Sequence, residues 1–263
     1  MDKSLLVRLL GFPAVLIHGD TLVLDRWLWL RQRLPETNNG EKLIDIGCGS
    51  GAFTIGAALR GYDAVGLSWD ERNQGVAGQR ATMCDAKNAK FVVLDVRDLD
   101  RSEEFFGQYD VAICFENIEH VLDDSKLLFD IAKCLKPGGR LLLTTPYYLY
   151  RPMTSEDKGP FSKFEDGGHV RRGYSRTMLS ELCISANLIP DNISYCSGFI
   201  SQKITFIQRK LSSIHPLVGF CAILPLRFLP LLFDGPITRL FGWPYFSICL
   251  EAYKPKHKRE SPK

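Results

Sequence analysis

The chain has 263 residues, of which 45% are hydrophobic and 24% charged, values typical of a globular protein with a packed core. A formal net charge of +3 gives no indication of nucleic-acid binding, but the charge is unevenly distributed. From Lys203 onward there are ten basic and three acidic residues, so a mildly acidic body precedes a basic, apolar end.

The eight cysteines are scattered, with neither a CxxC pair nor a Cys/His cluster at zinc-binding spacing. Several lie in apolar runs, where cysteine behaves as a small hydrophobic residue. This pattern predicts a reduced, cytoplasmic location and no metal site. A signal peptide is not expected, because Pro13 and His18 interrupt the short apolar stretch near the N-terminus.

An amphipathic helix is predicted over 21–34, inside an N-terminal helical segment of residues 1–40. Short apolar segments suited to buried strands then alternate with helical ones. The predicted strands are 42–47, 63–68, 90–96, 109–115 and 140–146, and the predicted helices are about 51–60, 71–87 and 124–135. Strands that are apolar on nearly every residue and alternate with helices predict an α/β fold with a parallel sheet covered on both faces.

The alternation ends after Pro146. Residues 147–175 form a long connection rich in Tyr, Arg, Gly and Pro, which predicts a lid or a binding loop. A helix over 177–187 and a strand near 193–200 complete a core domain of residues 41–200, and a last core strand is predicted over 245–253.

Between them, residues 201–244 form an apolar, basic insertion interrupted by prolines. Its run 217–233 is long enough to suggest a membrane span, but Pro225, Arg227 and Pro230 in the middle make spanning costly. Two alternatives stay open: a helical cap over the substrate pocket, or an interfacial element resting on a membrane, its Lys and Arg meeting anionic headgroups. The basic tail 254–263 is expected to lack regular structure.

The first predicted strand runs directly into a glycine-rich turn at 47–51. Glycine has no Cβ, so a ligand can approach the backbone N–H groups of such a turn closely. The spacing alone also fits a dinucleotide-binding turn, or a turn without a ligand. In a dinucleotide site an acidic residue about 20 positions further on binds the ribose, whereas Ser68 occupies that position here.

Three segments in order resemble class I S-adenosylmethionine-dependent methyltransferases, in the branch that methylates small molecules, lipids and quinones. They are LIDIGCGSGAFT (43–54), DVAICFENIEHV (110–121) and LKPGGRLLLTTP (135–146), and YFSICLEAY (245–253) resembles the family's antiparallel seventh strand. The resemblance implies a Rossmann-like, seven-stranded, mostly parallel sheet with helices on both faces and an antiparallel last strand. It also implies S-adenosylmethionine as the cofactor, at the carboxyl ends of the first strands.

The same resemblance implies a set of cofactor contacts in the glycine turn and at the following strand ends. They are Asp45, Gly47, Cys48, Gly49, Gly51, Ser68, Trp69, Asp95, Val96, Phe115 and Glu116. Asp45 and the glycines are expected at the methionine part, Asp95 and Val96 at the adenine, and Glu116 beside the transferred methyl. Ser68 departs from the family's usual acid, which puts the ribose contact in doubt. Asp70 either replaces that acid or only begins the next helix.

Methyl transfer to oxygen or nitrogen also requires removal of the acceptor's proton. His120, after the fourth strand, and His169, in the long loop, are the candidate bases, each with a structural role as the alternative. Tyr147, Arg171 and Tyr174 are the predicted substrate contacts.

The predicted activity is O-methylation of a small-molecule or lipid-linked acceptor. The alternatives are an NAD(P)-dependent oxidoreductase and a non-catalytic methyltransferase-fold scaffold docked on a membrane. A nucleic-acid partner is not expected, because the basic residues cluster with apolar ones. Peripheral membrane contact through 201–244 stays open, as does the oligomeric state.

Overall fold

The computed structural model of the chain describes residues 3–154 and 156–256, so most of the predicted basic tail, from 257 to 263, lies outside the described residues. Within these stretches the strands are β1 (Lys42–Ile46), β2 (Asp63–Ser68), β3 (Ala89–Val93), β4 (Tyr109–Phe115), β5 (Leu135–Pro146), β6 (Ile189–Cys196) and β7 (Ser247–Tyr253). The α-helices are α1 (Lys3–Leu10), α2 (Phe12–Ile17), α3 (Thr21–Arg33), α4 (Ala52–Ala58), α5 (Glu71–Met83), α6 (Asp124–Cys134), α7 (Arg176–Ser185), α8 (Phe199–Ser212), α9 (Pro216–Ile223) and α10 (Leu229–Leu240).

The seven strands form one sheet in the order β3-β2-β1-β4-β5-β7-β6. Strands β1 to β5 pair in parallel, and β7 lies antiparallel between β5 and β6. This arrangement confirms the predicted Rossmann-like sheet with an antiparallel last strand. The strand order reverses between β1 and β4, so the carboxyl ends of these two strands border the crevice in which open α/β sheets bind ligands.

Both faces of the sheet are covered, which explains why its central strands are apolar at almost every position. In β4, Ala112 and Cys114 pack in the core on one side, together with α6 and α7. Val111 and Ile113 pack in a second core on the opposite side, with α3 and α4. Alternate side chains of a strand point to opposite faces, so each face needs its own apolar set.

Helices α3, α5, α6 and α7 begin at polar side chains that accept hydrogen bonds from the first backbone N–H groups. Asp20 accepts from Leu22 at the start of α3, and Asp70 accepts from Arg72 at the start of α5. Asp123 and Ser175 cap α6 and α7 in the same way. These caps fix where the helices begin and therefore where the preceding loops leave the sheet.

Three predicted strands were displaced. The sixth strand spans Ile189–Cys196, not the region near 193–200, because the chain turns at Gly198 and α8 begins at Phe199. The third strand ends at Val93, not 96, because Asp95 accepts a hydrogen bond from the Arg97 backbone and begins a short 3-10 helix. The fifth strand begins at Leu135, not 140. Tyr109 of β4 pairs with Leu135 across an irregularity that accommodates the Pro-Gly-Gly turn inside the strand.

Helices α8, α9 and α10 form the helical unit between β6 and β7. Asp234 of α10 accepts hydrogen bonds from the backbone N–H groups of Gly198, Ile200 and Ser201 and so caps α8. The run Pro216–Leu240 is long and apolar enough to span a membrane by length and composition, and 22% of its most apolar window is buried. A largely unburied apolar run differs from an ordinary core helix.

Candidate active site

The glycine turn joins β1 to α4 and has left-handed backbone conformations at Gly47, Gly49 and Gly51, with φ of 79°, 51° and 80°. The reasons for glycine differ between the positions. A Cβ at Gly47 would collide with the amide of Asn117, whereas a Cβ at Gly49 would meet nothing within 4 Å. The space beside Gly49 is therefore open to a ligand that approaches the backbone, as a bound cofactor requires.

Asp45 lies beneath this turn and is 1% exposed. Its carboxylate accepts a hydrogen bond of 2.6 Å from the Thr54 hydroxyl of α4. Burial raises the pKa of Asp45 to about 7, against the lowering effect of that hydrogen bond. The side chain of Cys48 is also turned inward, 3.6 Å from Gln74 Oε1. Both side chains support the turn from below.

The end of β2 carries Ser68, Trp69 and Asp70. Ser68 is buried, and its hydroxyl accepts a hydrogen bond from the backbone N–H of Asp70. Asp70 caps α5, in agreement with the structural alternative considered for it. The Trp69 side chain is 68% exposed, so its indole face is free for stacking.

Trp69 lines a small cavity of about 250 Å³ at the ends of β2, β3 and β4. Asp95 and Val96, both predicted adenine contacts, line the same cavity. The Asp95 carboxylate is occupied by the guanidinium of Arg97, which also bonds to Glu165 of the long loop at 2.7 Å. The hydrogen bonds from Arg97 lower the pKa of Asp95.

The end of β4 places Phe115 and Glu116 on different sides. Phe115 is buried against the rings of Phe53 and Trp29. Glu116 has φ of 48°, a left-handed conformation that is strained for a side chain of this kind. The Arg26 guanidinium holds its carboxylate at 3.0 Å, and the Ser247 hydroxyl donates to it at 3.1 Å.

Glu116 lines a second, larger cavity of about 700 Å³, enclosed by the loop over 159–169, α3, α8 and the turn after β4. Among the described residues that line it are five carboxylates and two guanidinium groups: Asp20, Glu116, Glu119, Asp157, Asp166, Arg26 and Arg209. His120 and Asp166 line both cavities, so the two are neighbours along the strand ends.

The two predicted bases meet in the larger cavity. The rings of His120 and His169 lie 4.7 Å apart in a T-shaped arrangement. His120 Nδ1 is 3.0 Å from the Gly168 carbonyl oxygen, a contact in which Nδ1–H donates to that oxygen. Burial, followed by the nearby imidazole of His120, lowers the pKa of His169 to about 4, so His169 is neutral at pH 7.

Glu119 lies between these histidines and the sheet and is fully buried. Its Oε2 accepts a hydrogen bond of 3.0 Å from the Thr145 hydroxyl, while Oε1 has no partner within the described part of the chain. Burial and the neighbouring carboxylate of Glu116 raise the pKa of Glu119 well above its usual value. An uncompensated buried carboxylate oxygen is rare in proteins and points to a role beyond packing.

The predicted substrate contacts lie outside both cavities. Tyr174 is buried and donates a hydrogen bond to Asp124 at 2.8 Å. Arg171 bonds to the same Asp124 carboxylate and to the carbonyl oxygens of Val121 and Leu122. Tyr147 packs against the ring of Tyr195. Arg171 and Tyr174 fix the long loop to α6 in this structure.

Among the cavity residues that were not predicted are Arg26, Asn117 and Glu119. Arg26 lies within the predicted amphipathic helix 21–34, and only the fold brings it to Glu116. Asn117 Nδ2 donates to the Ile46 carbonyl oxygen at 3.1 Å and covers Gly47. Glu119 offered a sequence signal, a carboxylate next to His120 just after the fourth strand.

Comparison with known proteins gives a family match over most of the chain. A family model described as "Methyltransferase domain" matches residues 23–188. The ubiquinone biosynthesis O-methyltransferase of Marinobacter nauticus is 35% identical over 106 residues, which are 40% of this chain and 44% of that protein. The corresponding protein of Dechloromonas aromatica is 32% identical over 117 residues, 44% and 48% of the two chains. The similarity thus spans under half the length of these curated relatives.

Solved structures share the fold at low sequence identity. The cyclase SpnF has a TM-score of 0.61 at 18% identity, covering 90% of this chain and 82% of its own. A putative sarcosine dimethylglycine methyltransferase from Galdieria sulphuraria has a TM-score of 0.60 at 14% identity, covering 90% and 86%. Because a cyclase shares the fold, these similarities establish architecture alone. With the family match and the glycine turn, they establish that the chain belongs to the class I S-adenosylmethionine-dependent methyltransferase family.

Proposed function

We propose that the chain transfers a methyl group from S-adenosylmethionine to a hydroxyl oxygen of a small or lipid-linked acceptor. The observation that carries the proposal is the pair of neighbouring cavities that share His120, one at the predicted adenine contacts and one at the two histidines. The curated relatives named as ubiquinone biosynthesis O-methyltransferases support oxygen as the methylated atom.

The cofactor is assigned to the glycine turn and the smaller cavity. The open space beside Gly49 would take the methionine part, and Trp69 offers an exposed ring beside the adenine position. Asp95 would exchange its bond to Arg97 for one to the adenine amino group. That exchange also releases Arg97 from one of the two carboxylates that it joins, Asp95 and Glu165.

The acceptor is assigned to the larger cavity. S-adenosylmethionine supplies a methyl on a positively charged sulfur; its carbon–sulfur bond breaks as the acceptor oxygen bonds to carbon, leaving S-adenosylhomocysteine. The chain's residues must hold the hydroxyl in line with that bond and take up its proton. His120 is placed for this role, because it lines the cavity and its Nδ1 is bound to the Gly168 carbonyl oxygen, so Nε2 is the ring nitrogen left to act. His169 positions the acceptor beside it.

Two observations disfavour an NAD(P)-dependent oxidoreductase. The family model that matches is a methyltransferase domain. The position of the ribose-binding acid is held by Ser68, which is buried and accepts a hydrogen bond from the backbone N–H of Asp70. A non-catalytic scaffold is disfavoured by the larger cavity, where a strained Glu116 and two histidines face a common space. Backbone strain of this kind clusters at active sites and ligand-binding sites.

We also propose that the helical unit rests on an anionic lipid surface from the cytoplasmic side. Phe228, Leu232 and Leu240 are 69%, 70% and 79% exposed, and Lys210 and Arg239 are exposed on the same unit. Apolar side chains next to basic ones are the pattern of an interfacial element. A docked enzyme would take an apolar acceptor directly from the bilayer, without passing it through water.

Methyl transfer is tested with S-adenosylmethionine labelled on its methyl group and an alkylated catechol carried in vesicles. Extraction of a labelled methyl ether into the organic phase is the expected result, with the Gly49→Leu chain as the inactive control. Release of S-adenosylhomocysteine with the label on an amine-bearing lipid would contradict oxygen as the acceptor atom. Hydride transfer from NADH would contradict methyl transfer as the reaction and favour an oxidoreductase.

A further inference from the structure

The turn after β4 and the long loop are joined residue by residue where the two histidines meet. Val170 N donates to the Glu119 carbonyl oxygen at 2.9 Å, and the His120 imidazole donates to the Gly168 carbonyl oxygen at 3.0 Å. His169, between Gly168 and Val170, is thereby fixed against the turn. Because His120 and His169 are far apart in the sequence, this contact could not be predicted from the sequence.

These two histidines and Glu119 each present a ligand atom, and the three atoms all lie within 4.8 Å of one another. Ligand atoms around one Zn²⁺ lie about 3.3 Å apart, given tetrahedral bonds of about 2.0–2.1 Å. Rotation of the two imidazoles about their side-chain bonds can close such a gap. Glu119 Oε1 is buried without a partner and supplies the carboxylate oxygen.

The surroundings match those of protein metal ligands. A metal-binding histidine commonly donates its other ring N–H to a carbonyl oxygen, as His120 does to Gly168. A metal-binding carboxylate is commonly held by a second hydrogen bond, as Glu119 is by the Thr145 hydroxyl. Carboxylates outnumber guanidinium groups on the cavity wall, which gives the space a negative potential that attracts cations.

We propose that Glu119, His120 and His169 bind one divalent cation, and that this cation holds the hydroxyl of the acceptor. Two imidazoles and one carboxylate favour Zn²⁺ over Mg²⁺, which prefers oxygen ligands alone. No metal site was predicted, because the ligands come from segments about fifty residues apart and carry no zinc-binding spacing. The proposal therefore departs from the sequence-based expectation of no metal site.

The consequence for catalysis rests on the proposed methyl transfer. A hydroxyl bound to the cation loses its proton to water in the open cavity at a lower pH than a free one. Its oxygen then forms the bond to the methyl carbon, and the electron pair of the breaking carbon–sulfur bond stays on sulfur. With the cation bound, His120 and His169 would act on the proton through it, and the role of His120 as the base would apply only to the metal-free chain.

Metal binding is measured on the untagged full-length chain, stripped with a chelator and titrated calorimetrically with Zn²⁺, Co²⁺ and Mg²⁺. We expect one equivalent of Zn²⁺, no response to Mg²⁺, and visible absorption bands of Co²⁺ bound by nitrogen and oxygen. His169→Ala and His120→Ala should each weaken Zn²⁺ binding at least about tenfold. His215→Ala is the matched control, because His215 is an exposed histidine at the start of α9.

An equal loss in His215→Ala, or unchanged Zn²⁺ binding in His169→Ala, would overturn the site. Circular dichroism and the thermal midpoint of each variant separate lost ligation from lost folding, and Glu119→Gln provides a second variant of nearly the same shape. Failure to bind Zn²⁺ together with normal methyl transfer would remove the metal and leave the methyltransferase. Zn²⁺ binding without methyl transfer would leave the site and remove the proposed function.

Discussion

The parallel sheet and the helical unit use apolar residues in opposite ways. In β1 and β4 almost every apolar side chain is buried between two layers of helices. In α9 and α10 a run of similar hydrophobicity keeps large apolar side chains in contact with solvent, among them Phe228 and Leu232. The first region buries its apolar area when the chain folds, whereas the second leaves much of its apolar area exposed.

This difference assigns the two regions different tasks. The buried sheet fixes the positions of Gly49, Asp95 and Glu116 at its carboxyl edge, where a cofactor can be bound with little rearrangement. The helical unit holds itself together through polar contacts such as those of Asp234 and leaves an apolar face available. Exposed apolar area of this extent is characteristic of an interaction surface.

The largest effect is expected at the sheet edge, from Gly49→Leu. The new side chain would fill the space beside the turn and reduce affinity for S-adenosylhomocysteine at least about 100-fold by blocking approach to the backbone. Gly40→Leu is the matched control, because Gly40 also has a positive φ, of 67°, and open space around it. Calorimetric titration of both chains checks this, and equal losses would show that backbone strain alone is responsible.

The helical unit is tested by Leu232→Ser. If the apolar face enters a bilayer, loss of this side chain should reduce the affinity for anionic vesicles, measured by co-sedimentation, at least about tenfold. Burying one leucine side chain contributes about 1.5 kcal/mol or more, which corresponds to that factor. Ile184→Ser on α7 changes a side chain of similar exposure, 66% against 70%, outside the unit. Vesicle binding that falls equally in both variants, or in neither, would contradict a membrane-facing role for α10.

The internal bonding of the unit is tested by Asp234→Ala. Removing an acceptor for three backbone N–H groups of α8 should lower the free energy of unfolding by about 1–2 kcal/mol. Asp70→Ala, at the exposed cap of α5, should cost less because water can replace the carboxylate there. Urea unfolding of the two variants measures the difference, and a larger loss from Asp70→Ala would reverse the assignment.

A further test concerns pH. Asp45 has a pKa of about 7 in the folded chain and 3.8 as the ordinary value, so the folded state binds its proton more tightly. Its contribution to stability is present below pH 3.8 and is lost as pH rises through 7. Asp45→Asn should therefore gain stability relative to the natural chain between pH 5 and pH 8. Urea unfolding at both values gives this difference, and a constant or shrinking gap would contradict a raised pKa.

Much of the fold could be predicted, because it depends on local signals. Apolar strands, the glycine turn and capping residues each act within a few positions, so β1, β2 and β4 began where expected. The third strand ended early because Asp95 caps a short 3-10 helix, a competition between two local hydrogen-bonding patterns.

The candidate site was harder to predict, because its polar contacts join distant segments. The cofactor contacts could be predicted from the glycines and from the acids at the strand ends. The Arg26–Glu116 ion pair and the proximity of Glu119 to His169 form only when the sheet and the long loop come together in the fold. For Arg171 and Tyr174 the error was the opposite one, a predicted substrate contact that the fold uses within the protein. Their composition suggested ligand binding, and the structure directs both to Asp124.

The central claim is that the sheet edge binds S-adenosylmethionine. Calorimetric titration of the purified chain with S-adenosylhomocysteine, with NADH titrated in parallel, tests it most directly. The account predicts one equivalent of S-adenosylhomocysteine bound, no heat from NADH, and loss of the first signal in Gly49→Leu but not in Gly40→Leu. Binding of NADH in place of S-adenosylhomocysteine, or of neither ligand with and without anionic vesicles, would contradict it.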